Sequence, residues 1–271
     1  MRARLLMGAV AYDPKVVTIW DGFREWFGRN DLDFDYVLYS NYERQVEALI
    51  DGTIDVAWNS PLAWLRAERL ARAAGHPVAA VAMRDTDCDL TSVVVVRADS
   101  GIDDVSDLAG RAVAVGAIDS PQATLIPLVH LVASGLHPGD DFAVVHHNVG
   151  VGLHGDHIGG ERDAARALMA GTVDAACMID GNHLLFSTEG TLGPGATRVL
   201  TQTPTYDHCN FTAAGAAPLG LVERFSRLLS VMTYDDATVR PLLDLEGLKA
   251  WRPGRTSGYG PLDSAVCQFN F

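Results

Sequence analysis

A ten-residue phrase occurs twice in this chain, and it constrains the fold more than any other feature. Ala48-Leu49-Ile50-Asp51-Gly52-Thr53-Ile54-Asp55-Val56-Ala57 is echoed by Ala167-Leu168-Met169-Ala170-Gly171-Thr172-Val173-Asp174-Ala175-Ala176. In each copy an amphipathic helical run meets a glycine that ends it, and a short apolar run follows that reads as a buried strand. Asp107-Leu108-Ala109-Gly110 before Ala112-Val113-Ala114-Val115 uses the same device a third time. Repeated helix, glycine and strand units predict an α/β chain, and copies so far apart predict two similar lobes.

Two of these strands run into the same punctuation. Asn59-Ser60-Pro61 and Asp119-Ser120-Pro121 each place a serine at an N-cap and a proline at the first helical position. A helix begun at the carboxyl end of a parallel strand aims its first N–H groups outward, at the edge where open α/β sheets bind ligands. Ser60 and Ser120 are therefore expected to face one another across a cleft between the lobes. Tyr12, in the loop after a first strand at Leu5 to Val10, and Tyr42, just after a strand at Phe34 to Tyr39, are aromatic candidates to line it.

The chain reads as lobe one over residues 1–90 plus 204–271 and lobe two over 91–203, joined by polar crossings at Arg84 to Asp89 and Thr203 to Phe211. At 271 residues it is long enough for one large or two small domains with full cores. A net charge of -13 argues against nucleic acid or an anionic membrane as partner, although a local helix terminus can still hold a small anion. No apolar run reaches the roughly 20 residues of a membrane span, so no membrane insertion is expected. The start MRARLLMGAV reads as a strand rather than a secretory signal, which predicts a cytoplasmic protein unless the chain is a trimmed mature form, periplasmic or extracellular. Cys88, Cys177, Cys209 and Cys267 are scattered without CxxC spacing, as free thiols in a reducing compartment would be.

Metal-ligating residue types gather in lobe two. His146, His147, His154, Asp156, His157 and Glu161 fall in and around a glycine-rich loop, and His208-Cys209 arrives by a separate crossing. Imidazole, carboxylate and thiolate suit a transition metal, with His154, His157 and His208 as candidate ligands and Asp156 orienting one of them. The competing reading is a solvated polar loop, and no cofactor is required. His208 and Cys209 are also the candidate catalytic pair, although neighbours on an extended strand point to opposite faces.

Taken in order, GAVAYDP, SNYERQVEALIDGTIDVAWNSPLAWL, SVVVVRADSGIDDVSDLAGRAVAVG and ALMAGTVDAACMID resemble the phosphonate-binding branch of the periplasmic solute-binding proteins of ABC transporters. The resemblance covers roughly residues 5 to 180 and implies the type II binding-protein fold, with two α/β lobes closing on a small ligand. It implies ligand contacts at Tyr12, Tyr42, Trp58, Asn59, Ser60, Ser120, Gln122 and Asp180, to which the reading of the polar loops adds His154 and His208. The turn after the Val113 strand departs from the family's Ser/Thr-rich pattern, because Asp119 puts a carboxylate where a dianion would be repelled unless it points away. The resulting expectation is a binding protein for a small polar or anionic solute, with an ABC permease as partner only if exported. The alternative is a cytosolic enzyme on the same fold with a His/Cys, metal-dependent site, for which relatives in menaquinone and thiamin-pyrimidine synthesis are the precedent.

Overall fold

A computed structural model of the chain describes residues 4–156 and 158–271. They form two compact units: the first takes the chain up to Cys88 and again over Asp207–Tyr259, the second takes Asp89–Tyr206 and Gly260–Phe271. The elements of the first unit begin with β1 (Leu5–Val10), α1 (Lys15–Arg29), β2 (Phe34–Tyr39), α2 (Tyr42–Ile50), β3 (Val56–Asn59), α3 (Pro61–Ala74) and β4 (Ala79–Arg84). The second unit holds β5 (Ser92–Arg97), β6 (Ala112–Val115), α4 (Ile126–Ala133), β7 (Ala143–His146), α5 (Gly159–Met169), β8 (Ala175–Ile179), α6 (Asp180–Glu189) and β9 (Thr197–Gln202). The chain then returns to the first unit with β10 (Asn210–Ala213), α7 (Leu219–Val231), α8 (Arg240–Glu246) and β11 (Trp251–Pro253), and ends in α9 (Gly260–Phe269).

Each unit is built on one sheet. The first has the order β11-β4-β10-β3-β1-β2 and the second β7-β6-β8-β5-β9. In the first, β1 runs parallel to β2 and β3, and β10 enters antiparallel beside β3. In the second, β6 runs parallel to β7 and β8, and β5 enters antiparallel beside β8. Both sheets are covered on both faces, and side chains sort between the faces with period two. Val94, Val96, Val113 and Cys177 join one core of the second unit, while Val93, Val95, Ala114 and Met178 join the other. In the first unit Met7, Val56, Trp58 and Phe211 line one core, and Val10, Tyr42, Val46 and Ala57 the other.

The repeated phrase plays the same part in both units. Gly52 and Gly171 take positive φ of 76° and 71°, the left-handed helix stop that a side chain would strain. Three residues beyond each glycine, an aspartate pins the neighbouring strand: Asp55 Oδ2 accepts from Leu6 N–H at 2.9 Å, and Asp174 Oδ2 accepts from Ala112 N–H at 2.9 Å. The backbone completes each bracket, with Asp55 N–H on the Leu6 carbonyl and Asp174 N–H on the Ala112 carbonyl, both at 2.8 Å.

One part of the sequence reading is corrected. The C-terminal stretch was expected to stay with the first lobe throughout, yet Gly260–Phe271 belongs to the second unit. The reason is burial: α9 hides Leu262, Ala265 and Val266, and Phe269 packs on the core that holds Val94 and Leu131. Among the described residues, no helix is long and apolar enough to cross a membrane.

Candidate functional site

In the first unit, the carboxyl end of β3 carries the predicted residues Trp58, Asn59 and Ser60. The period-two alternation of the strand sends them to different surroundings. Trp58 turns into the core, its ring 4.7 Å from Phe211, with the Arg84 guanidinium 5.2 Å from its centroid. Tyr42 is likewise a core residue, 2% exposed. Tyr12 is partly buried against the core, and Lys15 Nζ lies 5.9 Å from its ring centroid. Ser60 caps α3 as expected, its Oγ accepting from Ala63 N–H at 3.2 Å with Pro61 following.

Asn59 is wholly buried and belongs to a relay of hydrogen bonds that the sequence did not announce. Gln45 Nε2 donates to Asn59 Oδ1 at 2.8 Å, and Asn59 Nδ2 donates to Thr212 Oγ1 at 2.8 Å. Thr212 then donates to Asn210 Oδ1, Asn210 Nδ2 to the Tyr259 hydroxyl, and Tyr259 to the His208 carbonyl, each at 2.7 Å. The relay exists because β10 pairs Asn210 directly with Asn59. Burial pushes the Tyr259 hydroxyl well above its ordinary pKa, so it serves as a neutral donor and acceptor.

The equivalent edge of the second unit carries Ser120, Gln122, His154 and Asp180. Ser120 Oγ accepts from Ala123 N–H at 3.2 Å, and the turn Pro121–Leu125 winds wider than an α-helix, with Leu125 N–H reaching the Ser120 carbonyl at 3.0 Å. Asp119 points away from this helix start. Its Oδ2 accepts the N–H groups of Gly152 at 2.7 Å and His154 at 3.1 Å, so the carboxylate fastens the glycine-rich loop. Gln122 does the same from the other side, donating Nε2 to the Gly155 carbonyl at 2.7 Å. Asp180, exposed at the start of α6, accepts from Thr91 Oγ1 at 2.8 Å.

Beneath the turn lies a second buried polar group. Ser92 Oγ donates to the Gln122 carbonyl at 2.5 Å and shares a 2.7 Å hydrogen bond with the Tyr206 hydroxyl. Glu161, 2% exposed, accepts from Ile179 N–H at 3.0 Å and Asn182 Nδ2 at 2.8 Å. Burial raises the Tyr206 pKa, with the Glu161 and Asp180 charges adding to it. Sequence reading missed Gln45, Ser92, Tyr206, Asn210, Thr212 and Tyr259 because each acts through a partner on another element of the fold.

The metal candidates separate. His154 sits in the second unit with a φ of 51°, held by Asp119, and His157 lies outside the described residues. His208 sits in the first unit, where the structure gathers Asp87, His208 and Cys209 with one donor atom of each within 4.8 Å of the others. Asp87 was not among the candidates. His208 Nδ1 is 3.1 Å from Cys209 Sγ and 3.4 Å from Asp87 Oδ1. Arg84 forks onto Asp87 at 2.5 and 2.9 Å, and although burial pushes the Asp87 carboxyl up, Arg84 and His208 hold it at about 2. No cofactor is established for the chain. An apolar groove of about 750 Å³ along β4, β11 and α7 lies elsewhere on the first unit and contains none of the candidate side chains.

Comparison with known proteins places this architecture. The model of the family described as "ABC transporter, phosphonate, periplasmic substrate-binding protein" matches residues 9–260. Among solved structures, PhnD1 of Prochlorococcus marinus in complex with methylphosphonate is similar at 16% identity, with 99% of this chain and 98% of that chain covered and a TM-score of 0.71. XAC2383 of Xanthomonas citri bound to ATP is similar at 15% identity, 99% and 98% coverage and a TM-score of 0.72. The aliphatic sulphonate binding protein SsuA of Escherichia coli is similar at 18% identity, 100% and 93% coverage and a TM-score of 0.61. At these identities the likeness establishes the fold, that of two-lobed periplasmic binding proteins.

Proposed function

The chain belongs to the phosphonate substrate-binding protein family of ABC transporters, and from that premise we propose that it binds a small solute bearing a singly charged tetrahedral oxyanion. The observation that carries the reading is the pair of serine-capped helix starts, Ser60 on α3 and Ser120 on the Pro121–Leu125 turn. Each hydroxyl accepts from the N–H three residues on, which fixes the first turn of each helix. A helix start favours negative charge at its first N–H groups.

A single charge is favoured over two. The Ser120 edge holds the carboxylates of Asp119, Glu161 and Asp180, and no Lys or Arg is among the residues proposed to bind. Asp119 is engaged by two N–H donors, which moderates its field without removing the charge. By fold-level analogy, the methylphosphonate, ATP and sulphonate named for the similar structures all carry oxyanions. Delivery of the solute to an ABC permease follows from the same family premise.

The test is calorimetric titration with an alkanesulfonate, methylphosphonate, inorganic phosphate and a neutral sugar. A singly charged oxyanion should bind, and Ser60→Gly and Ser120→Gly, which retain most of the capping, should each weaken it by about tenfold, or 1.4 kcal/mol. Unchanged affinity in both variants, or binding of the sugar alone, would overturn the proposal. Turnover of the solute during titration would favour an enzyme on this fold instead.

A further inference from the structure

We infer that Asp87, His208 and Cys209 form a binding site for a divalent transition-metal ion of the zinc class, independent of the solute reading. The three residues come from the two stretches where the chain enters and leaves the first unit: Asp87 precedes Cys88, and His208 follows Asp207. They are brought together by the backbone, because His208 N–H donates to the Asp87 carbonyl at 2.8 Å.

The geometry separates a metal site from a catalytic triad. In a triad, one imidazole nitrogen faces the nucleophile and the other faces the carboxylate. Here Cys209 Sγ and Asp87 Oδ1 both approach Nδ1, at 3.1 and 3.4 Å, so one nitrogen would have to serve both partners. Convergence of thiol, imidazole and carboxylate on one point is instead what a metal ion requires. Zinc bond lengths at a tetrahedral angle put nitrogen about 3.6 Å from sulfur and about 3.4 Å from oxygen. The observed separations match the second value and fall short of the first by a margin that a small side-chain rotation supplies.

The surroundings suit a cation. Arg84 contacts both Asp87, at 2.5 Å, and Glu246 Oε1, at 3.4 Å, so two buried carboxylates share a single guanidinium. A divalent ion with the Cys209 thiolate balances that group, since Asp87, Glu246 and Cys209 carry three negative charges against two from the metal and one from Arg84. The ligands are also held from behind, Asp87 by the Arg84 fork and the His208 backbone by the Tyr259 hydroxyl at 2.7 Å. All three ligands are buried, and three protein ligands leave the fourth tetrahedral position to water or another donor.

The experiment uses the full chain without a histidine tag, in a Cys88→Ser/Cys267→Ser background that removes the two less buried thiols. Metal content is measured after dialysis against zinc, and the absorption spectrum after exchange for cobalt. The expected result is one ion per chain and a thiolate-to-cobalt charge-transfer band. Cys209→Ser should abolish the band and His208→Ala should weaken zinc binding at least tenfold, in the range seen for perturbed ligand shells. His76→Ala, at an exposed histidine, should change neither. Absence of stoichiometric zinc, a band that survives Cys209→Ser, or equal loss in His76→Ala would each overturn the site. Should Cys209→Ser fail to fold, the parent spectrum decides, and a cobalt complex without the thiolate band refutes the assignment.

Discussion

Asp119 Oδ2 accepts the backbone N–H of Gly152 at 2.7 Å, so the one carboxylate in the Ser120 turn is spent on the glycine-rich loop. His154 N–H shares the same oxygen, and His154 is buried whereas Gly152 is exposed, so Asp119→Ala strands the His154 donor while Gly152 N–H can turn to water. The expected cost is about 1–3 kcal/mol for the buried donor left unpaired, read as a lower midpoint in urea unfolding. Amide exchange over residues 150–156 should accelerate more than elsewhere in the second unit. A midpoint equal to that of the parent chain would show that the loop is held by other contacts.

The same loop tests how closely its backbone approaches the turn. Gly155 has a φ of +84°, and a Cβ there would lie 2.5 Å from Gln122 Oε1 and 2.8 Å from Ser120 Oγ. Gly152, at a φ of +91°, would meet nothing within 4 Å. Both alanine variants carry the left-handed backbone strain, on the order of 1 kcal/mol, but only Gly155→Ala should also displace Ser120 and Gln122. Solute affinity should therefore fall in Gly155→Ala and hold in Gly152→Ala when the two are titrated side by side.

In the first unit, Asn59→Ala removes both an acceptor for Gln45 Nε2 and a donor to Thr212 Oγ1. Asn59 is wholly buried, Gln45 Nε2 keeps the Trp58 carbonyl and Thr212 keeps Asn210, so destabilisation of about 1–3 kcal/mol is expected from one lost bond at each of these groups and a small cavity. Asn59→Asp should be at least as damaging, since it puts a second acceptor against Thr212. Chemical denaturation of the two variants checks the order.

Alkaline stability should depend on Cys177. Burial, assisted by the Glu161 charge, pushes its thiol up to about 12, from an ordinary value of 9.0. Between those values the unfolded chain gives up the proton while the folded chain keeps it, so stability is complete below about 9 and declines by about 1.4 kcal/mol per pH unit above it. Cys177→Ala should flatten that decline in denaturation midpoints measured from pH 8.5 to 11. An unchanged slope would assign the alkaline loss to other groups.

Much of the fold was legible because it is written in local periodicity. The doubled phrase around Gly52 and Gly171 and the capping of Ser60 and Ser120 depend on residues within a few positions of one another. The candidate site was legible only in part. Tyr42 was read as a lining residue from its place after a strand and Trp58 from the family resemblance, yet the side-chain directions that bury them in the cores follow from packing.

By itself, then, the sequence determined the α/β alternation, the glycine stops and the two serine helix starts, because hydrogen bonding within a turn decides each of them. Tertiary structure alone decided that Asp119 turns to Gly152, that Asn59 joins Asn210 through Thr212, that Asp87 meets His208 and Cys209, and that α9 closes on the second unit. Those pairings join residues far apart in the chain, and only the strand order and the burial it imposes bring their polar atoms within reach of one another.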